Sequence, residues 1–422
     1  MGSPGMMKVR YIFWLAAAVV GYSYLGYPVW LWLRSRWSPR PVRRSSTIVP
    51  SVSAVMVVRN EEAVMARKLE NLLTLDYPPE KLEIVVVSDG SSDRTPAILA
   101  DYAHNSGAPG EGRPSLKTSG VENRLRILMK PVSQGKAAGL NDAIQLASGE
   151  VLLFTDARQQ IERGALRLLM ENFADPEVGA ASGELMLGDP ASGETAKGMG
   201  LYWRIEKKIR ELESASGSVA GATGALYCAR RAPLASSSSS WSSSLPSSPS
   251  SSSTSSSLPL PAGTILDDVL LPMQIVRQGF RVVFDSRARA WDSPDLGEGR
   301  EFSRKVRTLS GNYQLLQIAP WLLSSENPIR FEFVSHKLSR LAVPFALLVL
   351  LIASALLPLP IYRAALGAQL AFYALSLAAL AGVKIGPLAR IADPARTFVV
   401  LNFAAMVAFI NFVTGRKAVW VR

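Results

Sequence analysis

Three acidic positions stand at the ends of apolar runs, and carboxylates in that pattern could do chemistry. EIVVVS (83–88) runs into Asp89-Gly90, VLLFT (151–155) into Asp156, and Asp267-Asp268 opens DDVLLPMQIVRQGFRVVF. One carboxylate after a strand is ordinary turn chemistry, since Asp and Gly suit tight turns and helix caps. Three at successive strand ends of one sheet converge on one rim. Like charges gathered there call for a metal ion, a basic substrate or nearby Arg and Lys. Lys136, Arg158, Arg304 and Arg307 are the candidate cations. Arg304 and Arg307 lie one helical turn apart and share a face. They read either as a basic amphipathic helix on a membrane surface or as a diphosphate clamp, because guanidinium matches phosphate oxygens bidentately. In FTDARQQ (154–160), Arg158 stands where a second carboxylate would complete a metal clamp with Asp156.

These residues need a scaffold that brings strand ends together. Short apolar runs recur at 52–58, 83–88, 126–129 and 151–155, separated by helical patterns at 61–75 and 135–147. Buried strands alternating with helices imply an α/β fold, a mostly parallel sheet with helices on both faces. Sites in such sheets form at the carboxyl ends of the strands. Two segments stand outside this pattern. Residues 104–122 form a polar Gly/Pro-rich insertion, and the Ser-rich run 236–263 reads as a low-complexity loop.

The composition narrows the class. Hydrophobic residues make up 48% of the 422, too many for an ordinary soluble chain, and the net charge of +12 suits an anionic substrate, nucleic acid or a membrane surface. The single Cys228 rules out an intrachain disulfide, and two histidines argue against a His-based triad or a multi-histidine metal site. Residues 11–33 carry no charge and are long enough to cross a bilayer. Arginines at 34, 36, 40, 43 and 44 follow, so the next segment is expected on the cytoplasmic side. Further candidate spans are 341–362, 366–383 and 398–415, leaving two or three spans at the C-terminal end. The basic residues cluster beside these spans, and no nucleic-acid motif is present. The expected organisation is an N-terminal anchor and basic segment (1–47), a cytoplasmic domain (48–300), an amphipathic interfacial segment (301–335) and C-terminal membrane helices (336–422).

The order of these pieces resembles the membrane-integrated family 2 glycosyltransferases, the group of cellulose, hyaluronan and poly-N-acetylglucosamine synthases. VRNEE (58–62), SDGSSD around Asp89, GKAAGLNDAI (135–144), GATGALYCARR (221–231) and Asp267-Asp268 with its following LP match the family's motifs in sequence order. Two motifs depart. The family's D-x-D is Asp156-Ala157-Arg158, and its Q-x-x-R-W is Arg304-Lys305-Val306-Arg307-Thr308. The resemblance implies a GT-A-like domain flanked by transmembrane helices in a multi-pass protein of the cell (inner) membrane. It implies a nucleotide-sugar donor, a UDP-sugar in the first instance, and an inverting transfer to a polysaccharide hydroxyl that forms a β-glycosidic bond. Asn60, Glu61, Asp89, Lys136, Asp156 and Arg158 would bind the donor. Asp268 would be the catalytic base. Asp267, Thr223, Gly224, Arg304 and Arg307 would serve the diphosphate and acceptor sides. A Mg or Mn ion would sit on Asp156 and phosphate oxygens, or Arg158 would replace part of its charge. Thr308 in place of the family's Trp opens the alternative of single-sugar transfer to a lipid acceptor. A further alternative is a non-catalytic nucleotide-sugar-binding partner subunit. Accessory subunits and the donor sugar are not readable from the sequence.

Overall fold

The computed structural model describes residues 4–104, 124–188, 201–234, 259–292, 298–383 and 389–416. The polar insertion 105–122 and the Ser-rich residues 236–258 lie outside them. Eight strands form one sheet: β1 (Val52–Val58), β2 (Leu82–Asp89), β3 (Leu125–Lys130), β4 (Val151–Phe154), β5 (Gln160–Ile161), β6 (Val178–Leu187), β7 (Tyr227–Arg230) and β8 (Arg281–Asp292). Their order is β3-β2-β1-β4-β7-β6-β8-β5.

The four apolar runs of the sequence become the parallel block β3-β2-β1-β4. Alternate side chains go to opposite faces, as strand geometry requires. Val55, Val85, Val87, Leu152 and Phe154 pack into one core with the helices Lys136–Leu146 and Asp267–Arg277. Val52, Ala54, Met56, Ile84, Val86 and Leu153 pack into the other with the helices Glu62–Leu73 and Ala165–Glu171. Beyond β4 the sheet turns mixed. β7 pairs antiparallel with β4 and β6, and β5 antiparallel with β8, while β6 and β8 are parallel. Four of the seven strand pairs are parallel, so the sheet is mixed, and the expected parallel order is unbroken only in the first block. The late strands are not all built by strand–helix–strand crossovers, which alone enforce parallel pairing.

The Ser-rich run reads from the sequence as a loop through residue 263, but its described end does not stand free. Its last residues belong to the core: Leu260 is buried, and the Asn141 side chain both donates to the Leu260 carbonyl and accepts from its N–H. Gln274 donates to the Pro259 carbonyl at 2.6 Å.

Four helices among the described residues are long and apolar enough to cross a membrane: Pro4–Trp37, Arg330–Leu356, Pro360–Leu380 and Ile391–Val413. Three of these lie at the C-terminal end. The expected span 341–362 is divided, because the helix stops at Leu356 and the next starts at Pro360. A proline favours the first turn of a helix and cannot continue the preceding one. The arginines after the first apolar helix are not loose membrane anchors. Arg40 pairs with Glu177 at 2.9 Å, Arg43 with Asp175 at 3.4 Å and Arg44 with Asp285 at 3.6 Å, and Arg34 pairs with Glu332. The Arg40, Arg43 and Arg44 pairs strap the segment after the first helix along the α/β unit, while the Arg34 pair joins that helix to the helix Arg330–Leu356.

Candidate active site

The carboxyl ends of β1, β2 and β4 open onto one rim, and a short loop before the helix Lys136–Leu146 joins what lies there. Asp89 is buried at the end of β2. Its Oδ2 accepts from the Ser133 hydroxyl at 2.7 Å and from the Gly135 N–H at 2.8 Å, and its Oδ1 accepts from the Gln134 N–H at 2.8 Å. Burial alone would raise its pKa, but these three donors and Lys130 outweigh it and hold the carboxyl below its ordinary range. Gly90 is required beside it. Its φ is +65°, and a Cβ there would stand 2.4 Å from the Ser133 nitrogen. Most of the acceptor capacity of Asp89 is therefore spent on the loop that presents Lys136.

Lys136 is the hub. Its Nζ lies 3.0 Å from Asp156 Oδ1 and 3.3 Å from Asp267 Oδ2. Burial works against the ammonium, but Asp156, Asp267 and Asp268 outweigh that cost and hold its pKa above the lysine range. Lys136 thus brings Asp156 and Asp267 to one rim, with Asp89 holding its loop, but Asp267-Asp268 opens a helix where the sequence reading expects a third strand end.

The β1 side is closed by side-chain bonds between loops. Asn60 has a φ of +56°, and its Oδ1 accepts from the Ser92 N–H at 2.8 Å. The Glu61 N–H donates to Thr95 Oγ1 at 2.9 Å. Burial raises the Glu61 pKa, Arg158 opposes it, and Asp156 adds to it.

Arg158 does not point freely at the rim. Its Nη2 donates to Asp292 Oδ2 at 3.0 Å, as does Gln159 Nε2 at 3.0 Å, and Arg304 Nη1 lies 3.7 Å from the same oxygen. Asp292, the last residue of β8, gathers both arginines; its place one residue after Trp291 carried no motif that could have singled it out. Sequence reading also passed over Lys68. It is buried at 1% exposure, in the apolar stripe of Met65, Leu69 and Leu72, where helical periodicity marks it as a lysine on a core-facing position. Its Nζ donates to Thr155 Oγ1 at 2.8 Å and to the Gln159 carbonyl at 2.7 Å, so it braces the FTDARQQ turn from below. Burial pushes its pKa down to about 7 against the pull of Asp156.

Asp267 and Asp268 begin the helix Asp267–Arg277, where the helix dipole favours anions. Asp267 is buried and faces Lys136, while Asp268 is partly exposed. Burial and the neighbouring Asp267 push the Asp268 pKa up to about 6, with Lys136 and Lys337 opposing. Pro272 lies four residues on and has no N–H, so it cannot bond the Asp268 carbonyl in the usual helical way. The Ala222 N–H takes that carbonyl instead, at 2.8 Å. The GATGAL segment is thereby drawn under Asp268, and a Cβ on Gly224 would lie 3.2 Å from Asp268 Oδ2. Thr223 Oγ1 donates to the Gly183 carbonyl at 2.9 Å. Thr308 is exposed, and its hydroxyl donates to the Arg304 carbonyl at 3.0 Å.

Among the described residues no three His, Cys, Asp or Glu side chains are grouped to hold a metal ion. Asp156 is the single carboxylate at the metal-motif position, and Lys136 already lies against it. This set fits a divalent cation only when donor phosphates complete the ligands, a mode suited to Mg²⁺.

A crossover-linked parallel block, an antiparallel return and acidic residues on the strand-end rim define a GT-A-like α/β fold. A mannosyltransferase of Pyrobaculum calidifontis, solved with GDP-Man and Mn²⁺, has the same fold: it superposes with a TM-score of 0.66 at 23% identity, over 96% of this chain and 100% of that one. Residues 53–235 match the family described as Glycosyl transferase family 2. A beta-monoglucosyldiacylglycerol synthase of Trichormus variabilis is 31% identical over 134 residues, 31% of this chain and 25% of that protein. A poly-beta-1,6-N-acetyl-D-glucosamine synthase of Staphylococcus epidermidis is 29% identical over 136 residues, 32% of this chain and 28% of that protein. The chain thus spans little more than a quarter of the length of these two relatives.

Proposed function

We propose that the chain is an inverting, membrane-bound glycosyltransferase that moves one sugar from a nucleotide-sugar to the hydroxyl of a lipid acceptor. The observation that carries this reading is the placement of Asp268. Its carboxylate is partly exposed, lies over Gly224 and feels Lys337, which stands near the start of the apolar helix Arg330–Leu356. A base there meets an acceptor at the membrane face. With its pKa near 6, Asp268 is ionised at neutral pH yet basic enough to take a hydroxyl proton. Displacement of the nucleoside diphosphate from the opposite face inverts the anomeric carbon, so an α-linked donor yields a β-glycoside. Lys136 holds positive charge beside Asp156, where the departing diphosphate gains negative charge. A divalent cation bound through Asp156 and phosphate oxygens would add Lewis-acid charge to that leaving group. Asn60, Glu61 and Asp89 shape the donor pocket, Asp89 through the loop it holds.

In this reading the α/β unit faces the cytoplasm, where nucleotide-sugars are made, and the chain crosses the membrane through its four apolar helices, whose length and composition support this. A polysaccharide acceptor is the second reading, favoured by likeness to the poly-N-acetylglucosamine synthase. Thr308 weighs against it, since it offers an acceptor chain no aromatic face. The test incubates detergent-purified protein with a panel of UDP-sugars and diacylglycerol or polyprenyl phosphate, with and without EDTA. One labelled sugar in the lipid extract supports the lipid reading. Long water-soluble glycan supports the second. Retained UDP binding with no transfer to any acceptor contradicts both.

A further inference from the structure

The helix Leu201–Ser216 supplies no residue to the rim around Lys136, yet it joins two parts of the molecule. On one side it meets the apolar helices. Tyr27 donates to Glu213 Oε1 at 2.6 Å, the His336 ring nitrogens lie 2.8 Å from Glu213 and 2.9 Å from Glu206, and Arg340 donates to Glu206 at 2.6 Å. On the other side Arg210 reaches the turn beneath Asp268. Its Nη1 donates to Thr223 Oγ1 at 2.7 Å, and its Nη2 donates to Ser182 Oγ at 2.9 Å. Its guanidinium lies 4.6 Å from the centre of the Phe284 ring. The Thr223 N–H donates to the same Ser182 Oγ at 2.9 Å. Among the described residues Arg210 has no carboxylate at ion-pair distance, so a charged group is being spent on neutral oxygens of the 221–224 turn and of β6. A cation so placed desolvates at a cost, and its worth must come from the geometry it fixes or from the field it exerts.

We propose that Arg210 is the positioning residue of the acceptor side, holding the Gly221–Gly224 turn under the Asp268 carboxylate from a helix anchored to the membrane helices. The inference rests on the transferase reading above. Asp268 is faced by Asp267, Lys136, Lys337 and Asp156, and it also acts on Tyr227 and Arg210. Removing the Arg210 cation leaves the like charges of Asp267 and Asp156 less opposed. The acid limb set by Asp268 then moves to higher pH.

The experiment compares full-length wild type, Arg210→Gln and Arg210→Lys in detergent by hydrogen–deuterium exchange, UDP binding and transfer rate against pH. In Arg210→Gln the amides of Ala222 and Thr223 exchange roughly tenfold faster. Its kcat falls about 10²-fold, the scale of an ångström of misplacement. UDP affinity stays unchanged, and the acid limb moves up. Arg210→Lys keeps the charge and the wild-type limb but restores only part of kcat, because an ammonium lacks the fork that spans Thr223 and Ser182. Unchanged exchange at 221–224, or an unchanged kcat and acid limb in Arg210→Gln, overturns the proposal. A wild type that transfers no sugar refutes the transferase reading instead, and the exchange comparison then decides the role of Arg210 alone.

Discussion

Around Asp156 three carboxylates have cations against them: Lys136 meets Asp156 and Asp267, and Asp292 holds Arg158 and Arg304. Around Asp268 the balance is different. Among the described residues no cation stands at ion-pair distance from that carboxylate, and its nearest built partner is the space left by Gly224. The first region is arranged to keep charge in place, as binding a diphosphate demands. The second leaves one carboxylate half-open with a raised pKa, as taking a proton demands. In the proposed reading these two jobs are separated by environment although the residue type is the same.

The largest expected effect breaks the second region. Asp268→Asn is expected to lower turnover about 10³-fold while UDP binding is unchanged, the range for loss of a general base. Steady-state transfer beside calorimetric UDP binding checks it. Lys136→Met comes next and breaks the first region. It leaves Asp156 and Asp267 without their shared ammonium and Asp268 without its field, so UDP binding weakens and the acid limb of Asp268 rises above about 6. Binding isotherms and a pH–rate profile read both effects together.

The residues of these two regions were not equally legible in the sequence. Asp89 and Asp156 could be found because each ends an apolar run, and Asp267-Asp268 because it opens a helical pattern; the parallel block β3-β2-β1-β4 follows directly from the apolar runs. Lys136 was legible as a candidate cation, but its place between Asp156 and Asp267 depends on the Asp89 loop, a tertiary contact. Arg158 was legible as a departure from D-x-D, whereas its pairing with Asp292 joins residues 134 positions apart, which no local pattern encodes. Arg210 stayed hidden for a different reason. The helix Leu201–Ser216 is amphipathic and charged, and its lysines, arginines and glutamates read alike until packing shows which one turns inward. The mixed half of the sheet was missed because β6 to β8 carry polar residues within the strands, such as Ser182, Glu184 and Arg289.

Two smaller effects sharpen the contrast. Asp267→Asn removes the like charge that helps raise Asp268, so the acid limb of its pH–rate profile moves below that of the wild type. Lys68 tests the buried support of the Asp156 turn through stability. Its folded pKa near 7 lies below its unfolded value near 10.5, so between these pH values the unfolded chain binds more protons. Wild-type stability therefore gains from this group as pH rises through that window, and Lys68→Met is expected to lose that slope. Thermal unfolding in detergent at several pH values measures it.

The account stands most directly on whether Asp268 is the base of a sugar transfer at the membrane face. The measurement is incorporation of radiolabelled sugar from UDP-sugars into the lipid extract by purified wild type and Asp268→Asn, at matched UDP occupancy. The account predicts label from one donor in the wild type and about a 10³-fold loss in the variant. Equal incorporation by the two proteins would contradict it.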